Sequence, residues 1–535
     1  MSVGGSRSAQ SLNEKRQDAT SNSCPKLQAD LLQDNLLSIR EFQIDGDQGV
    51  ASAVPHVELW PSSAPTSESL DAGQEAQTVF TSTGPSQAGR DRVYPFSFHA
   101  GARPAENERD LALIMNYLDN IFPLQFYFYQ PSSSEHGRGW LLSLLLRAKS
   151  SYYTTLAFSS LSQLIFIHKG DIIMEQKLSR DLNRYHSLGL CELQTQLDLL
   201  PKFSGYGHLK LGVEILACML QLMSIEVFRE TKGYGGWKDD WEVHLQGAER
   251  LLFVIGTDLR TSSTSSPEST SNDEEIVPDD ETNSILLPLN EIAGLDFFIK
   301  VYIWSDIFRC ASIGAKESGG NYFPYLPYLM DDRIRVDEIM GCRNWAMIAI
   351  KETSQLESWK RKMQRSQSLS IPMLVHKSGA LETRLIEGLE GIVKSRDAHT
   401  TYEQECNLIT EIYALSALTY LAVVVSGNSY LLPEVRASVA KTLKALKALP
   451  PHLLIRISWA YCVAGCMAEK REKEDFRQIL FDAHGKGHLL GTLWNGLELM
   501  EQFWVLRENT EFMQRADKCA WALAMDGLGA KILLI

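Results

Sequence analysis

The chain has 535 residues, enough for roughly two to four domains. Hydrophobic residues make up 44% and charged residues 22%, the balance of a soluble globular protein with a sizeable core. Its 66 acids against 52 bases give a formal charge of −14, which argues against a whole-chain electrostatic grip on nucleic-acid phosphates or anionic lipid. Nine scattered cysteines, mostly within apolar stretches, read as free thiols of a reducing compartment acting as small buried hydrophobes. Met1 to Thr20 shows no apolar signal-peptide core, so an intracellular, soluble protein is expected.

Residues 1–100 are rich in Ser, Gln, Gly, Ala, Pro and Asp and poor in aromatics. Such a stretch cannot bury enough apolar surface to offset its ordering entropy, so a disordered N-terminal region is expected. One island, Leu27 to Asp47, places Leu27, Leu31, Leu32, Leu36, Leu37 and Ile39 at helical spacing among acids. It reads as a partner-binding amphipathic helix, as a short helix docking on its own domain, or as nothing folded.

From Asn107 the pattern is helical nearly throughout, and the expected fold class is all-α over residues 101–535. Leu111, Ile114, Met115, Leu118 and Phe122 are expected on one buried face. Leu209 to Phe228 is apolar on most sides and reads as a central core helix. Asp239 or Asp240 can cap the next helix, whose stripe is Trp241, Leu245, Ala248 and Leu252. Further helices are expected near 290–311, 336–363, 380–394, 401–426, 433–448, 452–468 and 490–508. Thr400 with Glu403 reads as a capping box, and Pro450-Pro451 as a helix separator. The apolar run Ile412 to Val425 is too short for a membrane span of about 20 residues and reads as a buried helix.

Between two of these helices, Thr261 to Ile285 carries seven acids and no Lys or Arg. A disordered acidic insertion is expected over 258–289. Ser266 before Pro267 would suit phosphorylation, although a plain solvated loop is the simpler reading.

A search for chemistry yields no catalytic, cofactor-binding or metal-ligating residue. Cys462 and Cys466 share a helix face but lack a second ligand pair, so core packing is favoured over zinc. His484 and His488 are separated by Gly485 and Gly487, and the segment Gly485-Lys486-Gly487 with Gly491 fits no phosphate-loop spacing. Helical enzymes of the terpene-cyclase type need clustered carboxylates for magnesium. Asp239-Asp240 and Asp331-Asp332 lack that spacing, and the enzyme remains only an alternative, as does a scaffold outside transcription. The one compact basic run, Lys360-Arg361-Lys362 with Arg365, allows a nuclear-import patch but fits better as the solvated face of the helix carrying Leu356 and Trp359.

Five blocks in order resemble the fungal-specific transcription factor domain, the helical regulatory domain that accompanies fungal zinc binuclear-cluster modules. They are Asn116 to Phe126 with Gly137 to Leu142, Tyr152 to Ser162, Trp241 to Leu252, Ile339 to Ala346, and Trp459 to Glu469. The resemblance implies nuclear transcription regulation without catalysis, with control of a metabolic or secondary-metabolite gene set, and a domain that mediates interactions and in some members senses metabolites. Trp241, His244 and Gly247 share one face, where His244 is expected to be a satisfied core histidine and Gly247 to allow close helix approach. The usual six-cysteine module has no counterpart here, because only Cys24 lies upstream of residue 107. Either this gene or splice form lacks the module, or the protein works through a DNA-binding partner or the transcription machinery, as a homodimer or heterodimer, with direct DNA binding in doubt.

Overall fold

The computed structural model describes residues 104–131, 137–166, 172–228, 240–264, 289–314, 323–394, 400–484, 491–509 and 518–535. Leu27 to Asp47, Asp239, Ser266, His488 and residues 265–288 of the acidic insertion lie outside them. Among the described residues there is no strand, and the fold is all-α.

The N-terminal half comprises α1 (Pro104–Asn116), α2 (Phe122–Gln125), α3 (Gly139–Arg147), α4 (Lys149–Phe166), α5 (Ile172–Leu199), α6 (Gly205–Phe228) and α7 (Asp240–Thr264). α8 (Leu289–Ile313) leads to the short α9 (Leu326–Met330) and α10 (Asp337–Met340). The C-terminal half is α11 (Asn344–Arg365), α12 (Ile371–Lys394), α13 (Thr401–Ser426), α14 (Pro433–Ala448), α15 (Ser458–Cys466), α16 (Lys470–His484), α17 (Gly491–Leu506) and α18 (Ala520–Leu528).

Each half is organised on an apolar helix. α6 packs against α4, α5 and α7, and α13 against α11, α12, α14 and α15. Both are long and apolar enough to cross a membrane, yet 89% and 72% of their most apolar windows are buried inside the fold. α8 touches α3, α6 and α7 on one side and α11 and α18 on the other, so it is the seam between the halves. Its Trp304 and Phe308, with ring centroids 4.6 Å apart, join Tyr413 and Trp459 in one aromatic cluster. Trp521 ties α18 to α8 by donating its Nε1–H to the Ala311 carbonyl at 2.9 Å.

The α7 stripe Trp241, Leu245, Ala248 and Leu252 is buried as expected. The capping box of α13 is present, with Thr400 N–H donating to Glu403 Oε2 at 3.1 Å and Glu403 N–H to Thr400 Oγ1 at 3.4 Å. Other expectations need correction. Leu111 and Met115 are exposed, and the buried stripe is Leu113, Ile114, Tyr117, Leu118, Ile121 and Phe122. A π-helical turn at Tyr117–Ile121 lengthens the local repeat and rotates the face. The helix expected over 336–363 is broken at Gly341, whose φ is +75°, and α12 begins at Ile371 rather than near 380, because Pro372 suits a first helical turn. Pro450-Pro451 is followed by a 3₁₀ segment, Pro451–Arg456, before α15 starts. α7 continues through Thr264, seven residues into the insertion expected over 258–289, and α8 begins at that insertion's last residue, Leu289.

Candidate functional site

Cys462 and Cys466 are fully buried in α15, where burial and the Cys462 contact hold the Cys466 thiol well above the usual range. Among the described residues no three His, Cys, Asp or Glu side chains are placed to hold a metal ion. His484 is the last residue of α16. Asp331 pairs with Arg333 at 2.8 Å, and Asp332, with φ +52°, accepts a bond from Asn344 Nδ2 at 2.9 Å. These two carboxylates organise the turn after α9. Asp240 opens α7.

In the third resembling block, Trp241 Nε1 donates to the Lys531 carbonyl at 3.0 Å. His244 is buried, and burial, with a smaller push from His186, lowers its pKa to about 3. It is therefore neutral at pH 7, as a core histidine. The close approach of α6 and α7 is seen at Gly212, where a Cβ would lie 2.8 Å from Ile255 Cδ1.

The basic run belongs to α11. Lys360 Nζ donates to the Val424 and Val425 carbonyls at 2.6 and 3.3 Å, at the C-terminal end of α13 where the helix dipole favours a cation. Arg361 pairs with Glu357 at 3.2 Å, while Lys362 and Arg365 are exposed. Lys360 and Arg361 are thus used inside the fold.

The seam beside α8 holds a cavity of about 70 Å³. Its body is apolar, walled by Phe158, Leu161 and Ile165 of α4, Met223 and Phe228 of α6, and Val301 and Trp304 of α8. Ser162, Ser224 and Ser305 add hydroxyls. Those of Ser224 and Ser305 donate to carbonyls of their own helices, Leu220 at 3.0 Å and Val301 at 2.9 Å, which leaves oxygen lone pairs free to accept. Leu124 and Gln125 at the end of α2, and Arg456, also line it.

Arg456 ends the 3₁₀ segment and is only 7% exposed. Its two terminal nitrogens donate to the Leu124 and Gln125 carbonyls, and Tyr413 Oη donates to the Arg456 backbone carbonyl at 2.5 Å. Nε is buried with no hydrogen-bond partner. No carboxylate of the described residues forms an ion pair with it; Glu405, the acid beside Tyr127, is engaged by His452 at 3.1 Å. Burial lowers its pKa to about 10, so it stays cationic at pH 7.

A second buried charge cluster lies on α8 at Asp306, one residue beyond the cavity-lining Ser305, with the opposite character. Asp306 accepts from Arg309 Nη2 at 2.6 Å, Lys351 Nζ at 2.7 Å and Tyr325 Oη at 2.6 Å. Burial alone would raise its pKa, but Lys351 and Arg309 hold the carboxyl far below its ordinary value. Arg309 also feels Glu249. There, two cations face two acids. At Arg456 the cation faces none. Arg456 was not singled out by motif or spacing, although the absence of any Asp or Glu between Glu434 and Glu469 is a visible signal.

No solved structure matches this chain. It is 33% identical over 442 residues to a trichothecene biosynthesis transcription regulator of Trichoderma arundinaceum, covering 80% of this chain and 98% of that protein. The corresponding regulator of Fusarium sporotrichioides is 33% identical over 444 residues, with the same coverage. Transcription factor dibT of Pestalotiopsis microspora is 28% identical over 507 residues, covering 87% of this chain and 76% of that protein. These relatives are transcription regulators, not enzymes. The profile of the fungal specific transcription factor domain matches residues 112–535, and the chain belongs to that family.

Proposed function

We propose that this protein regulates transcription of a secondary-metabolite gene cluster from the nucleus, and that it reaches promoters through a DNA-binding partner. The observation that carries the reading is the match to two regulators named for trichothecene biosynthesis, which takes in 98% of each. The ustiloxin B cluster transcription factor of Aspergillus flavus, 26% identical over 443 residues, supports the same class of target.

Charge and cysteine content support the partner in this reading. Two zinc ions in a binuclear cluster need six thiolates, and upstream of residue 107 this chain supplies Cys24 alone. A net charge of −14 adds repulsion from DNA phosphates. The test is deletion of the gene followed by transcript profiling, with chromatin immunoprecipitation of a tagged chain. The expected outcome is loss of transcripts from one contiguous biosynthetic cluster and recovery of its promoters with the tagged protein. An unchanged transcript profile on deletion would refute the reading and favour a scaffold outside transcription.

A further inference from the structure

We propose that the cavity at the α8 seam binds a small amphipathic carboxylic acid, with its hydrocarbon body among Phe158, Leu161, Met223 and Trp304 and its carboxylate on Arg456. The inference goes beyond the transcriptional reading and rests on the cavity alone.

A buried cation costs several kcal/mol unless a counter-charge and hydrogen bonds offset it. Arg456 has part of that compensation, from two carbonyls and from the Tyr127 ring 5.8 Å away. A guanidinium carries five N–H donors, and two are used, which leaves three. The acid that completes the set is missing from the described protein. Asp306 shows what this core does with cations elsewhere, because Lys351 and Arg309 both have a carboxylate at hydrogen-bond distance. Arg456 lines the cavity together with Leu124 and Gln125, the two residues whose carbonyls its terminal nitrogens hold, and the proposal sets the anion against the remaining N–H groups of those terminal nitrogens.

The shape selects the rest of the ligand. About 70 Å³ holds roughly five to seven water-sized groups, the size of a carboxylate on a short aliphatic chain. The apolar walls disfavour a second charge, because an unpaired ion buried there has no partner. The carboxylate would take Arg456, and the Ser224 and Ser305 hydroxyls could accept one further donor on the ligand. A ligand bridging α4, α6, α8 and the 3₁₀ segment would also tie the two halves of the fold together.

The test uses the purified full chain and three probes with one carbon skeleton: pentanoate, pentan-1-ol and pentylamine. Calorimetric titration at pH 7 should give saturable binding of pentanoate, at least tenfold tighter than pentan-1-ol, and none of pentylamine. No hydrogen bond of the Ser162 side chain is seen among the described residues, so Ser162→Leu should keep the helical spectrum while filling the cavity and weakening pentanoate at least tenfold. Arg456→Gln should erase the preference for acid over alcohol. Should that variant fail to fold, the probe ranking and Ser162→Leu decide the matter. Equal affinity for acid and alcohol, no saturable binding of pentanoate, or pentanoate binding unchanged in Ser162→Leu would overturn the proposal. None of these outcomes touches the transcriptional reading, which transcript profiling tests separately.

Discussion

Gly341 lies so close to the Phe128 ring that a Cβ on it would stand 2.3 Å from Cε2. Its φ of +75° is a second reason for glycine, because an L side chain is strained there. The chain turns at this point from α10 into α11, and Asn344 holds the turn from inside, donating to the Ile334 carbonyl at 2.7 Å and the Leu329 carbonyl at 3.1 Å. Gly341→Ala therefore meets both left-handed strain and an overpacked ring. Urea unfolding should show a loss of about 2–4 kcal/mol. A loss below about 0.5 kcal/mol would mean that Phe128 moves aside freely, contrary to its complete burial.

His244 sets a pH dependence. Its folded pKa is lowered to about 3 from 6.5, chiefly by burial and then by His186. Between those values the unfolded chain binds a proton that the folded chain refuses. Stability from this residue is thus complete above pH 6.5 and is lost as pH falls toward 3, with a slope of about 1.4 kcal/mol per pH unit at most. Denaturant melts at pH 7.5, 6 and 5 should show that decline. His244→Asn should flatten it, and an equally steep decline in the variant would assign the effect to other groups.

The Asp306 cluster predicts non-additivity. Removing one member of a buried ion pair strands the other, at a cost of about 3–5 kcal/mol. Asp306→Asn leaves Lys351 and Arg309 without the carboxylate they share, and Lys351→Met leaves Asp306 with Arg309 as its one remaining cation beside the Tyr325 hydroxyl. The double variant should lose clearly less than the sum of the two single losses, because the second change removes a charge already stranded. Additive losses in a thermodynamic cycle would show that the two groups do not interact.

Much of the fold was legible where a helix is strongly amphipathic or sharply capped, as at Trp241 to Leu252 and at Thr400 with Glu403. α5 and α16 were missed because both are polar helices, reading IIMEQKLSRDLNRYH and KREKEDFRQILFDAH at their starts, with few apolar residues to betray a face. The π turn at Tyr117–Ile121 was illegible because no residue type demands it. The candidate site was legible only in part. Phe158 and Leu161 sit in a block singled out from the sequence, but Arg456 is one basic residue in an apolar run. That it is buried without an acid is a tertiary fact, set by the end of α2 some 330 residues earlier.

The last prediction concerns thiols, zinc and DNA together. Of the eight described cysteines only Cys191 is exposed, and the other seven are buried. Burial pushes the Cys218 thiol up to about 12, so it is neither a thiolate nor accessible at pH 7. Native protein treated with an aromatic disulfide reagent should therefore react rapidly at Cys191 and, within the described residues, nowhere else until it is unfolded. With these thiols enclosed and Cys24 the only one upstream of residue 107, no six-thiolate cluster can assemble within this chain. Purified protein should carry no stoichiometric zinc, and in gel-shift titration at about 150 mM salt it should bind promoter DNA weakly. If the proposed DNA-binding partner is co-purified with the chain, the complex should give the sequence-selective shift that the chain alone is expected to lack. Nanomolar, sequence-selective binding by the lone chain would refute this, and it would direct attention to the exposed Lys362 and Arg365 on α11 as its basic contact.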